Sequence, residues 1–492
     1  MVSNIPSMRT VTTLFLLFIL QLTVSAQTYP KEVLQLIQRV ENSLSPTVIY
    51  GDTLPSLNVE ARMKATGIQG LSIAVIRDYK IQWAKAYGWA DVESGRKVNT
   101  NTRFQAASIS KSLNSMGQLK LVQQGKIDGE ADINNYLKSW KFPYDSLTGN
   151  RKINLFQLLS HTAGLGIHGF PGYERPDPLP TIPQILNGEK PANTNKVRSI
   201  FAAGTKVEYS GGGTTISQLM LQDVTGQDYA AFMEKEVLKP IGMQHSSYRQ
   251  PPTDTANLAT GYYGDGNPVK GKYHVYPEQA AAGLWTTPSD LALYIIECQL
   301  ALQGKSAKVL NQSTMQKRMT PYIDSVAALG VFVQQKGSRK YFNHNGGNEA
   351  FLCTSYGSLE GGDGVVIMIN GENFAVINEL MNSVARVYNW EGFFKPEFRK
   401  KIMPPADTLA ALVGNFLAMK DTLTIKLCDA GICIQQNGQP AKGFECIFQD
   451  NRSFTINEVQ GVAFKALYNA EGKVDELELK QNGMTLKLPR IK

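Results

Sequence analysis

The chain contains little cysteine and no motif that would hold a metal. It has 5 cysteines among 492 residues, too few for a disulfide scaffold, and the odd number leaves at least one unpaired. No Cys-x-x-Cys pair and no His-Glu-x-x-His sequence occurs, so we expect neither a metal nor a cofactor. A hairpin could bring Cys428 and Cys433 together, so a disulfide and two small buried thiols both stay open.

The sequence lacks the signatures of a nucleophile-elbow hydrolase, of a phosphate-binding loop and of a nucleic-acid-binding protein. There is no Gly-x-Ser-x-Gly, which excludes a nucleophile-elbow hydrolase. The phosphate-loop-like stretch from Gly266 to Lys272 is followed by Tyr273 instead of Ser or Thr. The net charge is +8 and favours an anionic neighbourhood, but the Lys and Arg residues are spread along the chain, so we expect no nucleic-acid partner.

The one long apolar run lies at the N-terminus. Arg9 precedes a run from Val11 to Leu22, and Val24-Ser25-Ala26 is a small-residue cleavage site. The run is shorter than a membrane span prefers, and no later segment is apolar enough. We therefore predict a signal peptide over residues 1–26, an exported protein that is periplasmic or secreted, and no transmembrane segment after signal removal.

Hydrophobic periodicity divides the remaining chain in two. Residues 27–392 alternate between strand-like and helical patterns, with strands both before and after a helical stretch, which predicts an α/β domain with a helical lobe. The proline-rich stretch over residues 170–191 is expected to lack regular structure and to form the wall of a site. Residues 393–408 are predicted as a linker. Residues 409–492 carry short alternating runs separated by turns, typical of a small antiparallel β-barrel or sandwich.

Ser108-Ile109-Ser110-Lys111 begins an amphipathic helical pattern. Residues three apart on a helix are neighbours, so the Lys111 amine would lie beside the Ser108 hydroxyl. A serine hydroxyl is a weak nucleophile that needs a base at hydrogen-bond distance, and a neutral amine can be one. Ser94-Gly95-Arg96-Lys97 has the same spacing but lies in a turn-like stretch. A helix N-cap is the structural alternative for Ser108.

Three motifs in this order, Ser108 to Lys111, Tyr209-Ser210-Gly211 and His344-Asn345-Gly346, resemble those of the serine β-lactamase and penicillin-binding-protein superfamily. The most similar branch holds class C β-lactamases, DD-carboxypeptidases, D-aminopeptidases and related esterases. The resemblance spans roughly residues 67–390 and includes the segments at 158–165 and 281–290. It implies an antiparallel sheet flanked by helices, with a helical lobe. The C-terminal region resembles the lipocalin-like barrels appended to such hydrolases.

The resemblance also implies roles for single residues. Ser108 would be the nucleophile, Lys111 its activating neighbour and Tyr209 an acid or base. The backbone N–H groups of Ser108 and Gly347 would form the oxyanion hole. The strand facing the serine would bind substrate through His344, Asn345 and Gly346, with a basic side chain for a carboxylate at its first position. Asn348, just beyond the motif, is outside the family pattern and is expected to supply an amide from another direction.

One departure from the family pattern bears on the substrate. The family's asparagine two positions after the tyrosine is Gly211 here, which argues against efficient β-lactam hydrolysis. The sequence thus predicts an exported serine hydrolase that cleaves an amide or ester of a small-molecule or peptide substrate, with cell-wall fragments among the candidates. A D-amino-acid peptidase or carboxypeptidase and a carboxylesterase stay open, with a β-lactamase ranked below them. The alternative from another class is a penicillin-binding or sensing protein without turnover. His161 is expected to hold a loop, and His168 has no predicted role.

Overall fold

The computed structural model describes residues 29–149, 151–418, 421–429, 431–436, 443–456, 461–481 and 484–491. The predicted signal peptide over residues 1–26 lies outside these ranges. Each helix within them is too short or too polar to pass through a lipid bilayer.

The described helices and strands alternate along the first 400 residues, and strands dominate afterwards. The α-helices are α1 Lys31–Glu41, α2 Val59–Ala65, α3 Ser110–Gln123, α4 Leu155–Leu159, α5 Ile182–Asn187, α6 Gly211–Thr225, α7 Tyr229–Met233, α8 Lys239–Ile241, α9 Gln279–Ala282, α10 Pro288–Leu302, α11 Gln312–Met319, α12 Phe374–Val387 and α13 Ala406–Leu412. The strands are β1 Val48–Tyr50, β2 Gly70–Arg77, β3 Lys80–Asp91, β4 Arg96–Lys97, β5 Phe104–Gln105, β6 Trp285–Thr286, β7 Phe332–Lys336, β8 Arg339–Asn348, β9 Phe351–Ser358, β10 Gly364–Ile369, β11 Glu397–Arg399, β12 Gly414–Ala418, β13 Asp421–Cys428, β14 Gly431–Gln436, β15 Phe444–Phe448, β16 Ser453–Ile456, β17 Val462–Tyr468, β18 Val474–Gln481 and β19 Met484–Ile491.

The main sheet joins strands that are far apart in the sequence. Its order is β4-β3-β2-β10-β9-β8-β7, and the pairs are antiparallel. β10 pairs with β2 although some 290 residues separate their positions, for example Val366 opposite Ala74. The helical lobe is the long insertion between β4 and β7. The predicted α/β fold, with a sheet closed by distant strands and a helical lobe, is confirmed.

The two faces of the sheet pack against different apolar layers. In β2 the side chains alternate between them: Ala74 and Ile76 join the core under α3, α10 and the helical lobe, whereas Ile73 and Val75 join the core under α1 and α12. All four are fully buried. Burying an Ile or Val side chain stabilises a fold by roughly 1.5–3 kcal/mol, so both layers hold the sheet in place.

The proline-rich stretch contains a helix that the sequence analysis did not predict. α5 covers Ile182–Asn187, so the expectation of no regular structure there is wrong over these residues. Pro183 lies in the first turn, where a backbone N–H has no partner inside the helix and proline is tolerated. Thr181 and Gln184 form a capping box at the start, which supplies the missing hydrogen bonds.

The C-terminal region closes into a barrel, and the chain reaches it through an ordered segment. The predicted linker over residues 393–408 contains β11, which pairs in parallel with β1. Strands β12 to β19 form a closed barrel. Aromatic side chains of Phe448, Phe454 and Phe464 stack in its core, with ring centroids 5.1 and 5.3 Å apart.

The barrel contains the two closely spaced cysteines. Cys428 and Cys433 are joined by a disulfide, with Cα atoms 5.9 Å apart. It links β13 to β14 across their hairpin. Cys298, Cys353 and Cys446 are free and buried.

Candidate active site

A single turn at Ala107–Ile109 precedes α3 and holds Ser108 at the edge of a cavity. Ala107 has a φ of 46°, a left-handed conformation that is uncommon for a residue other than glycine. The residue at the N-cap position of α3 is Ile109, with no side-chain cap. Ser108 therefore does not cap this helix, and its side chain is half-buried beside Lys111.

Lys111 is buried and points its amine at Ser108. Its Nζ lies 3.0 Å from Ser108 Oγ and 2.8 Å from the backbone oxygen of Ala281. Nζ is also 5.0 Å from the centroid of the Tyr209 ring. The helical spacing that the sequence predicts thus places an amine at hydrogen-bond distance from the hydroxyl, and α9 supplies the carbonyl that orients it.

Tyr209 immediately precedes α6, whose N-cap is Ser210. Its ring lies between two imidazoles, with centroids 4.3 Å from His161 and 4.7 Å from His168. His161 Nδ1 accepts a hydrogen bond from the backbone N–H of Ser210 at 3.2 Å. Burial first, and then the charge of Lys111, hold the pKa of His161 well below its usual value. A neutral His161 therefore packs against the Tyr209 ring and holds the next residue, Ser210, by a hydrogen bond.

His168 is a site residue that the sequence analysis missed. It is exposed and lines the same cavity as Ser108 and Tyr209. Its contact with Tyr209 crosses 41 positions of sequence, and no local pattern marks it. The one available signal was its place just ahead of the proline-rich stretch, whose first residue, Phe170, also lines the cavity.

The glycines that begin α6 allow the segment at residues 166–170 to pack directly on the helix. The N–H groups of Gly211 and Gly212 donate to the backbone oxygens of His168 and Ile167, both at 3.1 Å. A Cβ on Gly211 would lie 3.0 Å from the Phe170 ring and 3.1 Å from the His168 oxygen. The backbone and ring of this segment therefore occupy the place into which the family's asparagine side chain would extend.

His344 lies on β8 and differs in charge from the sequence expectation. It is 3% exposed, and burial first, followed by the charge of Lys111, lowers its pKa to about 3. The expected basic side chain is thus a neutral imidazole at neutral pH, because a buried cation beside another cation is costly. Nδ1 lies 2.6 Å from the Asn345 backbone oxygen, whereas Nε2 has no partner among the described residues.

The remaining predicted residues of β8 divide between its two faces. A Cβ on Gly346 would lie 2.4 Å from the Ala106 backbone oxygen, so this face of the strand touches the turn that carries Ser108. Side chains alternate along a strand, and the Asn345 side chain leaves from the other face, where its Oδ1 accepts from Thr354 Oγ1 at 2.6 Å. Asn345 nevertheless lines the same cavity as Ser108, and its role in substrate binding stays a prediction.

Asn348 braces the end of β8 against α9. Its Nδ2 donates to Gln105 Oε1 at 2.6 Å and to the Ala282 oxygen at 3.1 Å. The amide hydrogens are therefore engaged within the protein and are not directed at substrate. Gly347 and Ser108, the predicted donors of the oxyanion hole, line the same cavity.

This cavity has a volume of about 660 Å³, enough for a small ligand. Lys111 is the one Lys or Arg among its described lining residues, and Asp and Glu do not occur there. The lining comprises Ser108, Lys111, His168, Gly169, Phe170, Tyr209, Ala281, Ala282, Phe332, Gln334, Asn343, His344, Asn345, Gly346, Gly347, Asn348, Leu352 and Phe374. A hydroxyl, an amine and a phenol thus meet in one cleft, a set that can carry out nucleophilic catalysis.

Known proteins share this sequence pattern and this fold. Residues 57–387 match the family model described as Beta-lactamase. The Protein flp of Staphylococcus aureus (strain N315) is 28% identical over 238 residues, which are 47% of this chain and 44% of that protein. The chain thus spans about half the length of the curated relatives it matches.

Solved structures extend the likeness in fold beyond the sequence match. A penicillin-binding protein homologue from Pyrococcus abyssi superposes with a TM-score of 0.57 at 16% identity, over 87% of this chain and 98% of that one. The D-amino acid amidase from Ochrobactrum anthropi SV3 has a TM-score of 0.55 at 18% identity, over 73% and 98%. At these identities the likeness is one of fold alone. The match over residues 57–387 covers most of the chain, which therefore belongs to the beta-lactamase family, whose members are typically serine hydrolases.

Proposed function

We propose that this protein is an exported serine hydrolase that cleaves an amide or ester bond through an acyl-enzyme on Ser108. The observation that carries the proposal is the 3.0 Å contact between Lys111 Nζ and Ser108 Oγ at the edge of a cavity of about 660 Å³. A nucleophile with a base at hydrogen-bond distance, beside a cleft of ligand size, is the arrangement that acyl transfer needs.

In the first step a bond forms between Ser108 Oγ and the carbonyl carbon of the substrate. Lys111 acts as the base in its unprotonated form and accepts the hydroxyl proton, while one of its N–H groups stays on the Ala281 oxygen at 2.8 Å. The carbonyl oxygen becomes an oxyanion facing the backbone N–H groups of Ser108 and Gly347. Removal of one such donor typically slows acyl transfer by roughly a hundredfold or more.

In the second step the bond from the carbonyl carbon to the leaving nitrogen or oxygen breaks. The leaving atom takes a proton from the pair formed by Lys111 and Tyr209, which lie 5.0 Å apart from amine to ring centroid. A water molecule then attacks the ester on Ser108, gives its proton to the same pair, and releases the acid. The serine hydroxyl is restored without any co-reactant besides water.

The comparisons support amide and ester substrates, with β-lactams as a second candidate. A D-amino acid amidase and a penicillin-binding protein homologue share the fold, and the family model carries the name Beta-lactamase. Against efficient β-lactam turnover stands the segment at residues 166–170, which packs where the family's asparagine side chain would extend. A penicillin-binding protein that is acylated without turnover would have the same first step and a blocked third one.

Turnover on a substrate panel tests the proposal. The panel holds p-nitrophenyl esters, D-amino-acid amides, D-Ala-D-Ala peptides and a chromogenic cephalosporin, each measured with the wild type and Ser108→Ala. We expect Ser108-dependent hydrolysis of an ester or amide and a mass increase on the Ser108 peptide in stopped reactions. Ser94→Ala is the matched control, since Ser94 has the same spacing to a lysine but lies in an exposed turn. Full activity in Ser108→Ala would refute the mechanism.

Export is the second part of the proposal and has its own test. The apolar run followed by Val24-Ser25-Ala26 is its support. Protein recovered outside the cytoplasm of an expressing cell should begin at Gln27. Recovery of an uncleaved Met1 would contradict it.

A further inference from the structure

His344 lines the cavity beside Ser108, and one nitrogen of its ring has no hydrogen-bond partner among the described residues. Its Nδ1 lies 2.6 Å from the Asn345 carbonyl oxygen, which can only accept, so Nδ1 carries the imidazole hydrogen. Nε2 then has a lone pair and no hydrogen. It is buried without a partner among the described residues, while the ring itself lines the cavity beside Ser108 and Tyr209. A buried acceptor of this kind is costly unless a donor arrives.

The described lining of the cavity offers no cation that is free to bind a carboxylate. Lys111 is the one Lys or Arg in its described lining, and its amine is already shared between Ser108 and the Ala281 oxygen. Phe332 is 5.4 Å from the His344 ring between centroids and adds an apolar surface on the same side. A carboxylate placed here would lose its hydration and face the lone pair of Nε2.

An uncharged hydrogen-bond donor is suited to the place beside His344 where a carboxylate is not. An N–H or O–H of an uncharged group would satisfy Nε2 without a counterion, and the aromatic rings of Phe332 and Tyr209 would pack against its apolar part. The Nδ1 contact with Asn345 fixes the tautomer, so Nε2 cannot reverse its role from acceptor to donor unless that contact breaks.

From this geometry we propose that His344 selects substrates by accepting a hydrogen bond from an uncharged N–H or O–H on the leaving group, and that the site rejects leaving groups that carry a carboxylate. The proposal rests on acyl transfer at Ser108 and narrows it: neutral amides and esters are substrates, whereas peptides that release an amino acid with a free carboxylate are poor ones. Penicillins, which have a carboxylate beside the ring nitrogen, are poor for the same reason.

Three aryl esters with one acyl group test the proposal, because each has a single scissile bond. Their leaving phenols carry a meta carboxamide, a meta carboxylate or no substituent. We expect kcat/KM for the carboxamide ester to exceed that for the carboxylate ester by about tenfold or more, since an unpaired buried charge is penalised strongly. The unsubstituted ester should lie between them.

Two variants separate charge from hydrogen bonding. In His344→Phe the ring shape is kept and the acceptor is lost, so the advantage of the carboxamide over the unsubstituted ester should disappear. In His344→Lys a cation is introduced, and the preference should shift toward the carboxylate ester by about tenfold or more. Ratios measured within one variant do not depend on how much of it is folded.

The outcomes distinguish this inference from the proposed function. Ser108-dependent hydrolysis with the carboxylate ester preferred, or with the ratios unchanged in His344→Phe, would overturn the role of His344 and leave acyl transfer intact. If none of the three esters is hydrolysed, the pair N-acetyl-D-Ala-D-Ala and its carboxamide is compared by release of D-alanine or D-alaninamide. Absence of Ser108-dependent turnover on every substrate would overturn the proposed function and, with it, this inference.

Discussion

The two walls of the active-site cavity are built differently. The first, which we name the catalytic wall, consists of Ser108 and Lys111 together with Ala281, and hydrogen bonds of 2.8 and 3.0 Å join its groups. The second, the selecting wall, consists of residues 166–170, Gly211 and His344. Close packing defines it, with a Cβ on Gly211 meeting Phe170 at 3.0 Å and with a neutral imidazole in the place of a cation.

The contrast separates the groups that the proposed reaction requires from the groups that can differ between members of the family. The proposed acyl transfer needs a nucleophile, a base and a carbonyl to orient the base, and the catalytic wall brings such groups together in the order that its sequence motif predicts. The groups that recognise a substrate have no such constraint. A difference between this chain and other members of the family is therefore expected on the selecting wall.

The largest effect should come from the catalytic wall. Lys111→Met removes the base and should lower kcat on the best substrate by about a thousandfold, within the usual range for a general base. The matched control is Lys97→Met, because Lys97 has the same spacing to a serine and lies over the Trp89 ring at 5.6 Å. Steady-state kinetics should show no change in the control. Equal losses of kcat in Lys111→Met and Lys97→Met would mean that the contact between Lys111 and Ser108 has no special role.

A smaller loss of kcat is expected where β8 touches the turn that carries Ser108. In Gly346→Ala the new methyl group would lie 2.4 Å from the Ala106 oxygen and would push the turn that carries Ser108. Misplacement of a nucleophile by about 1 Å can cost about a hundredfold in rate. Gly347→Ala meets only Leu352, at 3.3 Å, and should lose several-fold less kcat. A larger loss in Gly347→Ala than in Gly346→Ala would contradict the geometry.

The selecting wall should respond to a paired change. Gly211→Asn alone should overpack against Phe170 and lower the free energy of unfolding by about 1–3 kcal/mol, as thermal unfolding would record. Phe170→Ala in the same chain creates room for the new side chain and should recover part of that stability. We expect chromogenic cephalosporin turnover to rise about tenfold in the double variant relative to Phe170→Ala. No rise would mean that the asparagine alone does not distinguish β-lactam hydrolysis from the activity of this site.

The smallest effect on activity is expected at α9, which connects the two walls. Its carbonyl groups at Ala281 and Ala282 accept from Lys111 and Asn348, and both residues donate their N–H groups to the backbone oxygen of Glu278. The Glu278 side chain is fully buried, and its carboxylate oxygens have no close hydrogen-bond partner in the described parts of the chain. The Tyr173 hydroxyl is near enough to offset part of the effect of this burial on the pKa. Burial raises its pKa from the usual 4.5 to about 8.

The raised pKa of Glu278 predicts the direction in which the stability of the fold changes with pH. The folded protein keeps the Glu278 proton up to about pH 8, whereas the unfolded chain releases it near pH 4.5. The stabilisation is therefore complete below pH 4.5 and is lost as the pH rises through 8. Glu278→Gln should remove a decline on the order of 3 kcal/mol between pH 5 and pH 9, as denaturant unfolding at both pH values would show, with little change in kcat at pH 6.

Glu297→Gln is the control for that experiment. Glu297 is also buried, but Ser306 Oγ and the Lys308 N–H donate to its carboxylate. Its replacement should lower stability at both pH values without flattening the pH dependence. A wild type and a Glu278→Gln variant with parallel pH profiles would show that Glu278 is ionised in the folded state.

Sequence reasoning succeeded where the deciding contacts are local. The spacing of Ser108 and Lys111 on one helix places their side chains together in any fold that keeps the helix. The short alternating runs after residue 409 likewise predicted the barrel, because its antiparallel strands pair with their neighbours in sequence.

The differences at the candidate site depend on neighbours distant in sequence, whereas the missed helix α5 has local signals, Pro183 in its first turn and the capping box of Thr181 and Gln184. His344 is neutral because the sheet buries it beside Lys111 from another element, and nothing in its own strand indicates this. His168 joins the site through a contact across 41 positions. Such features follow from tertiary packing, which motif spacing does not encode.

The parallel pairing of β11 with β1 has a consequence for how the chain can be divided. β11 lies on the barrel side of the predicted boundary at residue 392, yet its partner strand comes from the first residues of the catalytic domain. A cut before β11 would leave β1 with an open edge that can pair with other chains. A cut after Pro405, just ahead of α13 whose Leu409 and Leu412 belong to the barrel core, would keep the β1-β11 pair and would break the bridge between Ile402 and Phe448. The separable unit is therefore defined by strand pairing and not by the change in composition along the sequence.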